Sequence, residues 1–388
     1  MKKCIICGAA LEGEPLLLCK DMPAAAQHMP APEEAASDGK MDLPLYQCPE
    51  CGLIQFDTEP VWYYRDVIRS GGYSTTMFEL RKSQYRRFME ICPLEGKKVL
   101  EAGCGRGEFL RVWREAGLNV EAWGVEHDPA LVEEARKDGL RVSRGFAGDG
   151  DTVLEGAPFD AFCSFNFLEH QPDPRGMLRC IRKNLKERAW GLITVPSFEY
   201  ILEQDGFYEL IRDHIANYTE ESLRLLLELS GFRVLEMTRV NRDTLSAIVE
   251  KRPRADVRGL AANRDIQARR LTDFFREATA DGRRAAVWGA SHQGFTLLSN
   301  IALERYVSYV IDSAPFKQGK LTAGSHLPIV SPAQAAADPV DTVLIVAPGY
   351  TEEIASILRR TFPAGTRIAA LRTDQVEMLP SGRYPGKI

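Results

Sequence analysis

A short run, Glu101-Ala-Gly-Cys-Gly-Arg-Gly107, joins the apolar stretch Lys97-Lys-Val-Leu-Glu101 to an amphipathic one, Glu108 to Ala116. Three glycines at that spacing let the backbone turn from strand to helix and approach a ligand where a Cβ would clash. The next stretch, Val120-Glu-Ala-Trp-Gly-Val-Glu126, ends on an acid 19 residues after Gly107. Such an acid is placed to accept hydrogen bonds from both hydroxyls of a ribose. Strand, glycine turn, helix, strand and terminal acid predict a doubly wound α/β sheet with a cofactor at its carboxyl edge.

The rhythm continues. Pro129 to Lys137 reads as a helix with Asp128 as N-cap and proline at its first position. Phe159 to Phe165 and Trp190 to Pro196 read as strands, and Glu220 to Leu229 as a helix. Phe232 to Arg239 and Thr244 to Glu250 form a closing antiparallel pair. A charged stretch, Lys251 to Arg270, leads into a second and smaller α/β unit. Its strands are Arg284 to Gly289, Val307 to Asp312 and Thr342 to Ala347. The expected boundaries are 1–68 for a metal-binding head, 69–250 for the cofactor domain and 251–388 for a Rossmann-like substrate-binding domain.

The head is poor in periodicity, and Pro23 to Met41 reads as loop with a short helix at most. It carries two pairs, Cys4-x-x-Cys7 and Cys48-x-x-Cys51, each followed by a glycine, Gly8 and Gly52. Two such pairs separated by a long loop predict a closed, tetrahedral and structural zinc site with Cys4, Cys7, Cys48 and Cys51 as ligands. Four thiolates leave no open coordination position, so the metal is expected to staple a segment that buries little apolar surface. Cys19 falls outside the pattern.

A net charge of −5 argues against a dedicated nucleic-acid binder, because no overall basic surface opposes a phosphate backbone. No run of 18 apolar residues predicts a membrane span. The N-terminus lacks a signal-peptide core, and thiols in CxxC pairs suit a reducing cytoplasm. A monomer acting on a small molecule is expected.

The E-x-G-C-G form, followed by Asn166-Phe-Leu-Glu-His170 after the third strand, resembles class I S-adenosylmethionine-dependent methyltransferases rather than nicotinamide Rossmann proteins. The implied cofactor residues are Glu101, Gly103, Gly105, Gly107, Glu126 and Asn166. Further blocks narrow the resemblance. Trp288-Gly-Ala-Ser-His-Gln-Gly294, Asp312-Ser-Ala-Pro-Phe-Lys-Gln-Gly319, Gly324-Ser-His-Leu-Pro-Ile329 and Arg212-Asp-His214 resemble blocks of bacterial sugar C-methyltransferases. Those enzymes act on nucleotide-linked 4-keto-6-deoxy sugars and carry a zinc head and a C-terminal Rossmann-like domain. Three segments depart from the family pattern: Ile211 stands for a tyrosine, Asn241-Arg-Asp-Thr-Leu245 for His-Gly-Gly-Ser-Leu, and Ala347-Pro-Gly-Tyr350 for a Trp-Asn pair. A methyltransferase acting on oxygen or carbon of another small molecule is the alternative, and a zinc-ribbon RNA methyltransferase a weaker one.

The resemblance implies that His214 is a general base, with Asp213 orienting it or tuning its basicity. Carbon methylation needs a carbanion, and a ketone supplies one by acidifying its α-hydrogen. His170 is expected to hydrogen-bond the ketone oxygen and stabilise the enolate. The expected midpoint of the pH profile lies roughly near 6.5. Tyr73 is expected near cofactor or substrate, or in the core. His292 lies in the second glycine loop, where helix-start N–H groups suit an anion. Lys317 is either a phosphate contact or a surface lysine, while His28, His127 and His326 read as structural.

Overall fold

In the computed structural model, the described residues are 2–36, 38–65, 74–148, 150–373 and 375–380. Tyr73 therefore lies outside the described residues. Contacts divide the chain into two compact units, Met1–Arg254 and Ala255–Ile388. The head expected over 1–68 is thus not a body of its own, because it shares a sheet with the central segment.

That sheet is built from β1 (Leu17–Pro23), β2 (Lys40–Gln47), β3 (Ile54–Phe56) and, after five strands of the central sheet, β9 (Ala216–Asn217). All three pairings are antiparallel, and Gln55 of β3 lies opposite Ala216 of β9. Weak periodicity hid β1, which has no buried residue, and β2, which buries only Leu43, Leu45 and Tyr46.

The central sheet contains β4 (Lys98–Ala102), β5 (Glu121–Glu126), β6 (Arg141–Arg144), β7 (Phe159–Phe165) and β8 (Leu185–Pro196). β10 (Phe232–Val240) and β11 (Thr244–Lys251) complete it in the order β10-β11-β8-β7-β4-β5-β6. β4 to β8 run parallel, and β11 is antiparallel to both β8 and β10. The strand order turns at β4, so the glycine turn opens at a topological switch point, where open α/β sheets bind ligands.

Local sequence explains the helices that flank it. Asp128 accepts from the Ala130 N–H and caps the helix Pro129–Lys137, as expected. Ser74 and Thr219 cap Thr75–Ile91 and Glu220–Leu229 in the same manner. One face of the sheet is sealed by Tyr85, Phe88, Val112 and Trp113, with the Tyr85 and Trp113 rings stacked 3.6 Å apart. Gly107 is required twice over: its φ is +78°, and a Cβ there would sit 2.4 Å from Leu140 Cδ1.

The second unit has β12 (Ala285–Trp288), β13 (Val307–Ile311), β14 (Ile329–Val330), β15 (Thr342–Ile345), β16 (Arg367–Leu371) and β17 (Val376–Leu379). Their order is β14-β13-β12-β15-β16-β17, parallel except for β17. Gly289 follows β12 at φ +133°, and any Cβ would meet the Val346 carbonyl oxygen at 2.6 Å.

Candidate active site and cysteine cluster

The glycine turn leaves β4 at Gly103, Glu126 closes β5, and Asn166 follows β7, so these expected cofactor residues meet at one sheet edge. Gly103, Gly105 and Gly107 all have positive φ. Glu126 is buried, and its carboxylate accepts from the N–H groups of Gly105 (2.9 Å), His127 (2.7 Å) and Asp128 (2.9 Å). The sequence assigned it to ribose hydroxyls; in the structure it first holds the turn itself in shape. Asn166, at φ +47°, is pinned by Thr194 Oγ1, which donates to its side-chain oxygen at 2.9 Å. Glu101 is enclosed within β4, near enough to Cys163 that both it and Arg81 act on that thiol.

Glu126→Ala removes the acceptor of the Gly105 N–H in the turn and of the His127 and Asp128 N–H groups beside it. S-adenosylmethionine binding is expected to weaken by roughly 2–4 kcal/mol, the worth of one or two hydrogen bonds to a charged group. Isothermal calorimetry checks this, and unchanged affinity would remove Glu126 from the site.

His170 ends the short 3-10 turn Leu168–His170 just after β7, and His214 lies just before β9. Their rings meet edge to face with centroids 4.8 Å apart. His170 Nδ1 lies 2.9 Å from the Asp213 carbonyl oxygen. A carbonyl only accepts, so Nδ1 carries the proton and Nε2 presents a lone pair. This corrects the expected role of His170: the neutral ring has no N–H left to give a ketone oxygen. Burial lowers its pKa, opposed by the hydrogen bond to the Asp213 carbonyl and by the Asp213 charge. Burial, and then the neighbouring His170, hold His214 well below the usual imidazole value, so it is neutral and able to accept a proton at pH 7.

Asp213 is a second correction. Its carboxylate does not face His214; it accepts from the Tyr63 hydroxyl at 2.7 Å and the Ala26 N–H at 2.9 Å. Arg212 donates to the carbonyls of Ala24 and Glu59, and Phe56 N–H donates to the Ile215 carbonyl. The head therefore grips residues 212–217, the segment carrying His214. Nothing in the local sequence marks these partners, which lie some 150 to 190 positions away. Tyr63→Phe leaves a buried carboxylate short of a donor and is expected to cost about 1–3 kcal/mol, read as a lower melting temperature with zinc content unchanged.

Glu169 is the site residue that sequence reasoning passed over, although it lies in the quoted Asn166–His170 run. Only 1% of it is exposed, and its Oε1 is 4.0 Å from His170 Nε2. Burial pushes its carboxyl up to about 8.

In the head, the two CxxC turns repeat one geometry. Gly8 N–H donates to the Cys4 carbonyl and Gly52 N–H to that of Cys48, at 2.9 and 3.0 Å. The Sγ atoms of Cys4 and Cys51 are 3.4 Å apart, those of Cys7 and Cys48 3.5 Å, and all four lie within 4.8 Å of one another. A tetrahedron of thiolates on zinc has edges of about 3.8 Å, so the donor set fits that ion. Cys19 lies in β1, apart from the cluster.

In the second unit, Asp312 repeats the device of Glu126. It accepts from the N–H groups of Ala290 and Ala314, each at 2.9 Å, at the edge of the Gly289 turn. Lys317 pairs with it at 3.0 Å. A crevice of about 470 Å³ opens there beside Trp288, Ser291 and Tyr350. His292 lines another cavity, of about 660 Å³, with Arg264, Gln267 and Arg372.

Two family models match successive parts of the chain. A family described as a methyltransferase domain matches residues 73–237, and one described as a C-methyltransferase C-terminal domain matches residues 236–371. The C-methyltransferase NovU of Streptomyces niveus is 26% identical over 370 residues, covering 86% of each chain. A ubiquinone biosynthesis O-methyltransferase of Xylella fastidiosa is 33% identical over 99 residues, covering 24% of this chain and 39% of its own. A solved S-adenosylmethionine-dependent methyltransferase from Aquifex aeolicus covers 46% of this chain and 94% of its own, at 20% identity and a TM-score of 0.38. With its seven-stranded sheet and glycine turn, the protein is an S-adenosylmethionine-dependent methyltransferase. Its C-terminal part matches the C-methyltransferase domain, and its similarity to a C-methyltransferase runs over most of the chain. No helix among the described residues is long and apolar enough to cross a membrane.

Proposed function

We propose that the enzyme methylates a carbon next to a ketone, on a nucleotide-linked 4-keto deoxy sugar, with His214 as general base. The observation that carries this reading is a neutral imidazole pair, His170 and His214, in the same unit as the cofactor edge of the sheet. The near full-length similarity to a C-methyltransferase supports carbon as the acceptor. Sugar as the substrate class rests on the sequence blocks of the C-terminal domain.

Glu101, Gly103, Gly105, Gly107, Glu126 and Asn166 are the residues proposed to hold S-adenosylmethionine, which supplies an electrophilic methyl group when bound. His214 removes the α-hydrogen as a proton, leaving an enolate. Its tilt is maintained from below by His170, itself held on the Asp213 carbonyl. Cys4, Cys7, Cys48 and Cys51 are proposed to hold a structural zinc. Since the head grips residues 212–217, that ion would act on catalysis by keeping His214 in place. The C-terminal unit is proposed to bind part of the substrate.

The test is an assay against nucleotide-linked 4-keto-6-deoxy sugars, with products read by NMR. A new methyl on carbon with loss of the α-hydrogen is expected. A methyl on oxygen with the α-hydrogen retained would defeat C-methylation and favour the second reading, for which Ile211 and Asn241–Leu245 speak because they depart from the sugar-enzyme pattern.

A further inference from the structure

We infer that Glu169 is a counter-charge of the His170–His214 pair, a positioning residue that sets the pair's affinity for the substrate proton. The inference rests on the proposed enolisation and deepens it.

Three observations converge. The Glu169 carboxylate and the two imidazoles bring their ligand atoms within 4.8 Å of one another. Glu169 Oε2 is inaccessible to solvent and has no hydrogen-bond partner, an arrangement that costs free energy unless a charge or proton nearby compensates it. The tautomer of His170 leaves a lone pair on Nε2, and that atom lies 4.0 Å from Glu169 Oε1. A lone pair facing a carboxylate is repulsive; one proton held within the group removes the repulsion.

The surrounding groups leave Glu169 this role. Asp213 is spent on Tyr63 and Ala26. Arg212 reaches the carbonyls of Ala24 and Glu59. Tyr218, on the following segment, donates to the Leu168 carbonyl at 3.5 Å and burial keeps it neutral. At this separation a proton shared among the three side chains would make them titrate as one group. Without a proton they carry one negative charge; with one they are neutral.

The chemistry follows. The substrate C–H bond breaks, its electron pair enters the enolate, and the proton passes to His214, where the Glu169 charge balances it. Uptake then neutralises a buried charge. With an amide at 169 the same step would create an uncompensated imidazolium in a low-dielectric site. Burial pushes the Glu169 carboxyl up to about 8 and pulls both imidazoles down, so the basic form of the group accumulates as pH rises through about 8. That displaces the midpoint upward from the isolated imidazole value.

The experiment needs no methyl acceptor. Full-length protein, its metal content measured, is titrated from pH 5 to 10 while the His170 and His214 rings are followed by NMR. In wild type both rings should shift together in the step at which Glu169 titrates, near 8. In Glu169→Gln that step should vanish, leaving both rings neutral above about pH 6.5. Glu169→Asp should keep a shared step at a shifted midpoint and serves if the amide variant folds poorly. Identical titrations in wild type and Glu169→Gln would overturn the inference. So would stoichiometric binding of added Zn²⁺ or Mg²⁺, beyond the cysteine site, that Glu169→Gln abolishes, since the carboxylate would then be a metal ligand. Exchange of the substrate α-hydrogen in deuterated water tests the enolisation separately: its absence with the shared titration intact would sink the proposed reaction alone.

Discussion

His214→Asn is expected to lose methyl transfer by roughly 10²–10⁴-fold, the usual worth of a positioned base, while zinc content and S-adenosylmethionine affinity stay at wild-type values. Neither the cysteine cluster nor the glycine turn uses residue 214. Asparagine cannot take up the proton, so enzyme-catalysed exchange of the α-hydrogen should disappear together with turnover. The pH sign is set by the same chemistry. Only an unprotonated group accepts the α-hydrogen, so kcat/KM of the wild type should rise with pH. Loss of methyl transfer with exchange preserved would mean that another group is the base. Loss of cofactor binding would mean that the substitution had disturbed the sheet edge.

Zinc removal carries the other large effect. Structural zinc sites of this type contribute about 10–16 kcal/mol of apparent binding free energy at pH 7. Cys48→Ser, or treatment with a strong chelator, should therefore unfold the head. The consequence should not stop there. Tyr63, Ala26 and β3 hold Asp213 and β9, so the segment carrying His214 should lose its anchor as well. Activity should fall by at least the factor seen for His214→Asn, and proteolysis should cut first within residues 1–64. Elemental analysis giving close to one zinc per chain, and none in the serine variant, supports the cluster. Metal-free protein with full stability and activity would defeat it.

The local elements were legible because their signals are local. The cap at Asp128, the helix Glu220–Leu229, the turn at Gly103–Gly107 and the closing pair β10–β11 are each specified by residues within a few positions. The two CxxC turns carry their geometry in four residues and a glycine. β1 was not legible, because an exposed edge strand lacks the alternation that marks a half-buried one.

The chemistry of the site divides along the same line. Sequence alone determined which residue types stand at the strand ends, which four sulfurs pair, and that a histidine follows β7 and another precedes β9. Tertiary structure decided what each does. Asp213 neighbours His214 in the chain, yet its carboxylate is bonded to Tyr63 and Ala26 of the head, and it serves the site through His170, by its carbonyl and its charge. Glu169 looks like a spacer before His170, yet it is the carboxylate enclosed with both imidazoles. Motifs encode covalent neighbours and short turns, whereas tautomers, burial and counter-charges depend on groups brought together from positions 26, 63, 169, 170, 213 and 214 by the pairing of β3 with β9.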